Sequence, residues 1–273
     1  MKSRPFLHLL AARLTHTPAP APVKSPSSEL QERISTLYQL AQQSDHVFGS
    51  PLGPFHHHTR TFLVPHFVYF GPSTSDASVR LAILSGYSRD ALPGTLALLA
   101  FIRRLALNPE IGQSLHLSFF PLVDVLGVLG EEAERALVDE HWGRSRQPEI
   151  RLLENDARRR GYQGFIRVTT TDDEAIAVQL RAGASTTGDS TDIELISSDD
   201  FDPWPVRFEA TAHPAPATSG PLTIAEDLPQ TPFELTLAVP RDWSQPSIDD
   251  AVASILKRFI VRYRGDQAYG QHL

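Results

Sequence analysis

An apolar run that enters a small-residue turn and then presents a hydroxyl is the local form of a hydrolase nucleophile, and one such stretch stands at residues 79–90. VRLAIL leads into Gly86-Tyr87-Ser88-Arg89-Asp90, close to the Gly-x-Ser-x-Gly elbow that lifts a serine from a strand-to-helix turn. A later acid (Asp172 or Asp202) and a later histidine (His213) keep the chain order such an enzyme needs. Against it, Asp90 stands where close strand–helix packing wants glycine, and no HGGG-type oxyanion loop is present. A second chemistry is a hard-cation site. Asp90, Asp124, Asp172 and Asp173 fall in loops at expected strand ends, and carboxylates suit magnesium or calcium. Aspartate is equally a turn and helix-cap residue, and that plainer role is the expected one. His56, His57 and His58 offer imidazoles to a transition metal. Adjacent residues point different ways, so the cluster is read as an exposed loop. His141 beside Trp142 is a candidate to line a cleft, with a packed histidine the plainer reading; His66 and His116 read as core or sheet-face residues, and Trp204 between prolines as a structural plug or an edge of the pocket. With no cysteine, disulfides, thiolate metal sites and cysteine nucleophiles are excluded.

The elements that must position these groups begin at Ser28. Ser28 and Gln31 have capping-box spacing, and Leu30, Ile34, Leu37 and Leu40 recur at helical intervals. Residues 49–55, rich in Gly and Pro, end that helix. Strands are predicted at 61–70, 78–85, 115–123, 165–170, 175–181, 192–197, 206–212 and 233–239, and helices at 93–107, 131–139 and 148–160. A Pro-rich loop, 213–220, separates the last two strands. The chain closes on a helix carrying Ile248, Val252, Ile255, Phe259 and Tyr263, led by Asp249 and Asp250, where negative charge favours a helix start. Strand–helix alternation followed by extra strands predicts a three-layer α/β/α domain with a mixed, largely parallel central sheet. Residues 1–27 read as an arm with a Pro/Ala-rich linker, and 28–273 as one domain.

Hydrophobic residues make up 41% of the 273-residue chain, enough for a proper core. The formal charge of -7 and the lack of a concentrated basic patch argue against nucleic-acid or anionic-membrane partners. No apolar run reaches the roughly 20 residues of a membrane helix, and a cytoplasmic protein is the simplest expectation.

Five stretches occur in order between residues 28 and 264: LAILSGYSRDALPGTLALLAFI, FFPLVDVLG, HWGRSRQPEI, GFIRVTTTDD and FELTLAVP. Together they resemble the zinc carboxypeptidase superfamily, in its branch with succinylglutamate desuccinylase and aspartoacylase. That family's motifs are Gly-x-His-Gly-x-Glu with Pro-x-Gly-Thr, Pro-Leu-x-Asn-Pro-x-Gly, Phe-Trp-x-x-Ser-x-x-Pro-Glu, Leu-His-Ser-Asp-Asp and Thr-Leu-Glu-x-Pro. The resemblance implies a carboxypeptidase-like fold and, with it, lost chemistry. The first zinc-ligand pair falls on Ser88 and Ala91, the third ligand on Thr169 or Thr170, and the general-base glutamate on Ala238. The Asn-Arg pair that grips a substrate carboxylate falls on Val138 and Asp139. Catalytic zinc takes three His or carboxylate ligands and an open position for water, and without it nothing lowers the pKa of an attacking water. The expectation is a pseudoenzyme with no catalytic residue, no metal and no cofactor. Its cleft, lined by Tyr87, Ser88, Arg89, Asp90, Asp124, Asp139, His141, Asp172 and Asp173, would take a peptide, a small amino-acid-like ligand or a protein partner. A serine hydrolase using Ser88, or a metal-dependent carboxypeptidase or deacylase with non-standard ligands, stays open as the alternative.

Overall fold

Helix α1 (Pro26–Ala41) buries Leu30, Ile34, Leu37 and Ala41 along one stripe, as their spacing predicts, and starts two residues before Ser28. This computed structural model describes residues 26–75, 78–129, 135–182, 203–209, 217–229 and 231–270. The predicted arm to residue 25, the predicted strand 192–197, and Asp202 and His213 lie outside the described residues.

The next segment departs from expectation. After β1 (Val47–Gly49), the stretch expected as loop forms a hairpin, β2 (Leu52–His57) with β3 (Arg60–Val64). His56 and His57 are therefore strand residues and His58, at φ 50, is in the turn. The strand predicted over 61–70 is cut in two at Pro65, which has no N–H to give a ladder. Its second half is β4 (Phe67–Phe70).

The central elements follow the predicted pattern: β5 (Val79–Leu84), α2 (Leu92–Leu107) and β6 (Leu115–Phe120). Next come α3 (Val125–Leu129), α4 (Pro148–Arg160), β7 (Gly164–Thr171) and β8 (Ile176–Ala182). Then come β9 (Val206–Glu209), β10 (Phe233–Pro240) and α5 (Gln245–Gly270). Helix α4 has clear end signals: Pro148 sits in its first turn, and Gly161, at φ 60, closes it by donating its N–H to Ala157 O. The predicted helix at 131–139 is corrected. Among its described residues, 135–139, there is no helix, because Arg135 is drawn inward to two carboxylates and Leu137 N–H bonds Tyr87 O at 2.8 Å.

Among the described residues, eight strands form one sheet in the order β1-β4-β6-β5-β7-β10-β8-β9, parallel from β6 through β10, antiparallel at the β1-β4-β6 flank and mixed at the β10-β8-β9 flank. One face packs on α2 and α5, through Phe101 on Phe119 and Phe259 and Tyr263 on Phe233. The other face meets α4 and its flanking turns, through Trp142 and Tyr162 on Phe165. The expected three-layer architecture is present. With both faces covered, β5 is a nearly unbroken apolar run.

His66 is fully buried, stacked on Phe120 with ring centroids 4.5 Å apart, its Nδ1 2.8 Å from Ser50 O. Burial, the largest influence, lowers its pKa from 6.5 to about 4; Asp156 opposes this, and Arg160 and Arg159 add to it. The unfolded chain thus binds the proton more readily than the fold does. Stability present above about pH 6.5 is lost as pH falls towards about 4, by about 3 kcal/mol from this group. Denaturant midpoints near pH 7 and about pH 4.5 should diverge in the wild type and draw together in His66→Phe, which keeps the stacking. An unchanged divergence would assign the acid sensitivity elsewhere.

Candidate functional site

Four parallel strands deliver their C-terminal ends to one edge of the sheet, where ligands bind in open α/β sheets. The loops there are laced together by backbone bonds: Ser85 N to Phe120 O, Val123 N to Ser85 O and Asp124 N to Gly86 O. Gly86 carries the required positive φ of 68, and a Cβ on it would come within 2.9 Å of the Leu122 backbone. Gly94 lets α2 lie against β7, where a Cβ would meet Val168 Cγ1 at 3.3 Å and Thr169 O at 3.5 Å.

The register decides which positions meet. Thr169 and Ala238 are direct partners across β7 and β10, on one sheet face and half-buried. Thr170 points to the other face and donates from its hydroxyl to Asp90 O at 2.9 Å, tying β7 to the Ser88–Ala91 loop. Thr169 and Ala238 thus share a face, and Thr170 reaches the loop that holds Ser88 and Ala91. What stands there does not fit zinc. Ala91 is a buried methyl, Ala238 offers no donor, and Ser88 and Thr169 offer neutral hydroxyls. Among the described residues, no three His, Asp or Glu side chains are grouped to hold a metal ion. Ser88 itself has an ordinary extended backbone (φ -155, ψ 168) rather than the strained apex of a nucleophile elbow.

Of the expected cleft residues, Ser88 is half-buried, and Arg89, Asp90, Asp139, Asp172 and Asp173 are exposed. His141 is half-buried and bridges by backbone to Gly220. Asp172 lies 3.5 Å from Arg241, and Asp173 2.6 Å from Arg207, which, followed by Thr171, holds its carboxyl below the usual range. These two carboxylates are answered by arginines. Two residues need correction. Asp124 is interior: its Oδ1 caps α3 at Gly127 N (2.9 Å) and faces Arg135, which also bonds the buried Glu149 at 2.7 Å. Tyr87 is interior too, its ring 5.0 Å from the Arg167 guanidinium. Burial, the chief influence, pushes its hydroxyl well above the ordinary range.

The floor beneath Thr169 and Ala238 is a buried charge cluster absent from the sequence reading. Arg167, 8% exposed, bonds Glu234, 1% exposed, at 2.5 Å, and reaches Val138 O at 3.3 Å. Arg181 lies 3.9 Å from the other Glu234 oxygen. Gly220 makes room: at φ 75, any Cβ there would strike the Arg167 guanidinium. The signal was present as charges on the same alternate face inside two apolar strands, GFIRV and FELTL.

No family model and no curated protein matches this sequence. Solved structures do. A metallo-carboxypeptidase from Burkholderia cenocepacia superposes with a TM-score of 0.67 at 13% identity, over 85% of this chain and 69% of that one. A Pseudomonas aeruginosa metallo-carboxypeptidase, in complex with (2-guanidinoethylmercapto)succinic acid, gives 0.64 at 12% identity, over 87% and 69%. Bovine thrombin-activatable fibrinolysis inhibitor, in complex with tick carboxypeptidase inhibitor, gives 0.61 at 11%, over 86% and 95%. At such identities the likeness speaks for the backbone alone, and it agrees with the sheet order and the motif series: this chain has the metallo-carboxypeptidase fold.

Proposed function

We propose that this protein binds rather than cleaves, using the crevice at the C-terminal ends of β5, β7 and β10 for a peptide, an amino-acid derivative or a protein partner. The reading rests on the resemblance, which puts the zinc ligands and the general base at Ser88, Ala91, Thr169 or Thr170, and Ala238; the pairing of Thr169 with Ala238 and the bond from Thr170 to Asp90 O support it. A hydrogen bond from Thr170 to Asp90 O joins the two loops that shared ligands would otherwise join. The resemblance puts Asp139, an exposed residue, where the family grips a carboxylate with arginine, and a negative charge there would disfavour substrates ending in a free carboxylate.

Elemental analysis of untagged protein, purified without metal resin, tests this beside a variant with alanine at His56, His57 and His58. The expected result is zinc far below the one per chain of a catalytic site, and no chelator-sensitive hydrolysis of peptides or N-acyl amino acids. Stoichiometric zinc in both forms, with chelator-sensitive turnover, would establish a rebuilt metalloenzyme instead.

A further inference from the structure

The sheet has a second concave region, at the opposite end from the crevice. Phe70, His116 and Arg80 are consecutive register partners across β4, β6 and β5, so their side chains form one row on one face. They line an open cavity of about 840 Å³, closed on one side by the turn at residues 71–75. The His116 ring lies 4.4 Å from that of Phe70, and the Phe48 ring, outside the cavity lining, lies 5.8 Å from Phe70. Phe48 and Phe70 are exposed, at 44% and 37%.

The polar groups in this cavity are under-used. Arg80 Nε and His116 Nε2 are buried without a hydrogen bond, and Arg80 has no carboxylate within ion-pair distance among the described residues. Leaving such groups unmet costs free energy comparable to a lost hydrogen bond each. Ser73 and Ser75 also line the cavity. Burial, followed by the positive Arg160 and Arg80, lowers the His116 pKa to about 4, so at neutral pH it is an uncharged imidazole. One acidic residue, the exposed Asp45, stands at the rim.

We propose that this cavity is a binding site for a small oxyanion that carries an aromatic or apolar group. A phosphate or carboxylate sits against the Arg80 guanidinium, between His116 and the turn of Ser73 and Ser75, and its apolar group lies on Phe70. The planar guanidinium fork suits either oxyanion. The aromatic wall explains why a bare inorganic ion is not the whole ligand. Asp45 at the rim disfavours ligands whose second group is also anionic. This site is independent of the fate of the zinc chemistry, because it lies at the other end of the strands.

Calorimetric titration at constant ionic strength tests it, with phenyl phosphate and phenylacetate as probes and inorganic phosphate and acetate as their bare counterparts. Wild-type protein is expected to bind at least one aromatic probe more tightly than its bare counterpart, and the better probe identifies the oxyanion. Arg80→Met should weaken that binding about tenfold or more, as loss of a charge-assisted pair does. His116→Phe should weaken it less, and Arg104→Met, a surface change, should leave it unchanged. If Arg80→Met does not fold, Arg80→Lys, which keeps the charge and loses the fork, takes its place with a smaller loss expected. Absence of binding in the wild type, or equal binding in wild type and the Arg80 variant, would overturn the proposal.

Discussion

Arg167→Met is expected to destabilise the fold by about 3–5 kcal/mol, the usual cost of breaking a buried ion pair from one side. Its partner Glu234 is 1% exposed and would keep only Arg181, 3.9 Å away, as a counter-charge. Methionine fills much the same volume as the arginine stem, so the loss measures charge more than cavity. The double variant Arg167→Met/Glu234→Leu should recover most of the loss, since well-packed apolar replacements of a buried pair are commonly neutral or better. Denaturant midpoints at unchanged slope read both outcomes. A single variant within about 1 kcal/mol of wild type would show instead that water reaches Glu234. Because the pair lies on the face of Thr169 and Ala238, the result also reports how dry the floor of the crevice is.

Trp142→Ala should be comparably severe, about 3–5 kcal/mol, because a large side chain leaves a cavity the surroundings only partly fill. Trp142 is 1% exposed, its ring meets Phe165 edge-on at 5.8 Å, and its backbone N–H is held by Thr223 Oγ1 at 3.0 Å. Its indole N–H has no acceptor among the described residues. Trp142→Phe should therefore lose much less, since it keeps the ring contact and removes an unmet donor. A loss below about 1 kcal/mol in the alanine variant would mean that the turn holding Trp142 opens independently of the sheet.

The elements legible in the sequence were those whose cause is local. VRLAIL and GFIRV read as strands because a sheet covered on both faces asks for unbroken apolar runs, and α4 carried its own proline and glycine boundaries. Pro65 was a local signal too, overlooked because the flanking residues share one apolar character. The β2–β3 hairpin was hidden by Gly53, Pro54 and the histidines, a loop-like composition that the fold holds in strand pairing. The helix formers around Arg135 lost to tertiary demands, a buried guanidinium between Asp124 and Glu149. At the crevice, the motif series pointed to Ser88, Ala91, Thr169 or Thr170, and Ala238, of which Thr169 and Ala238 are strand partners. The Arg167–Glu234 pair joins residues 67 apart, and no local pattern announces that partnership.

The place of β10 has a consequence for how the molecule is made. This strand is the last of the described strands, yet it lies between β7 and β8 and pairs with both. Until the ribosome has released residues 233–240, the sheet exists as two pieces with raw edges at β7 and β8, open to mispairing with other chains. Such distant pairings also set a slow pace for folding. A nascent chain halted just before β10 therefore carries the other described strands without a continuous sheet, and its unpaired edges are then most open to aggregation.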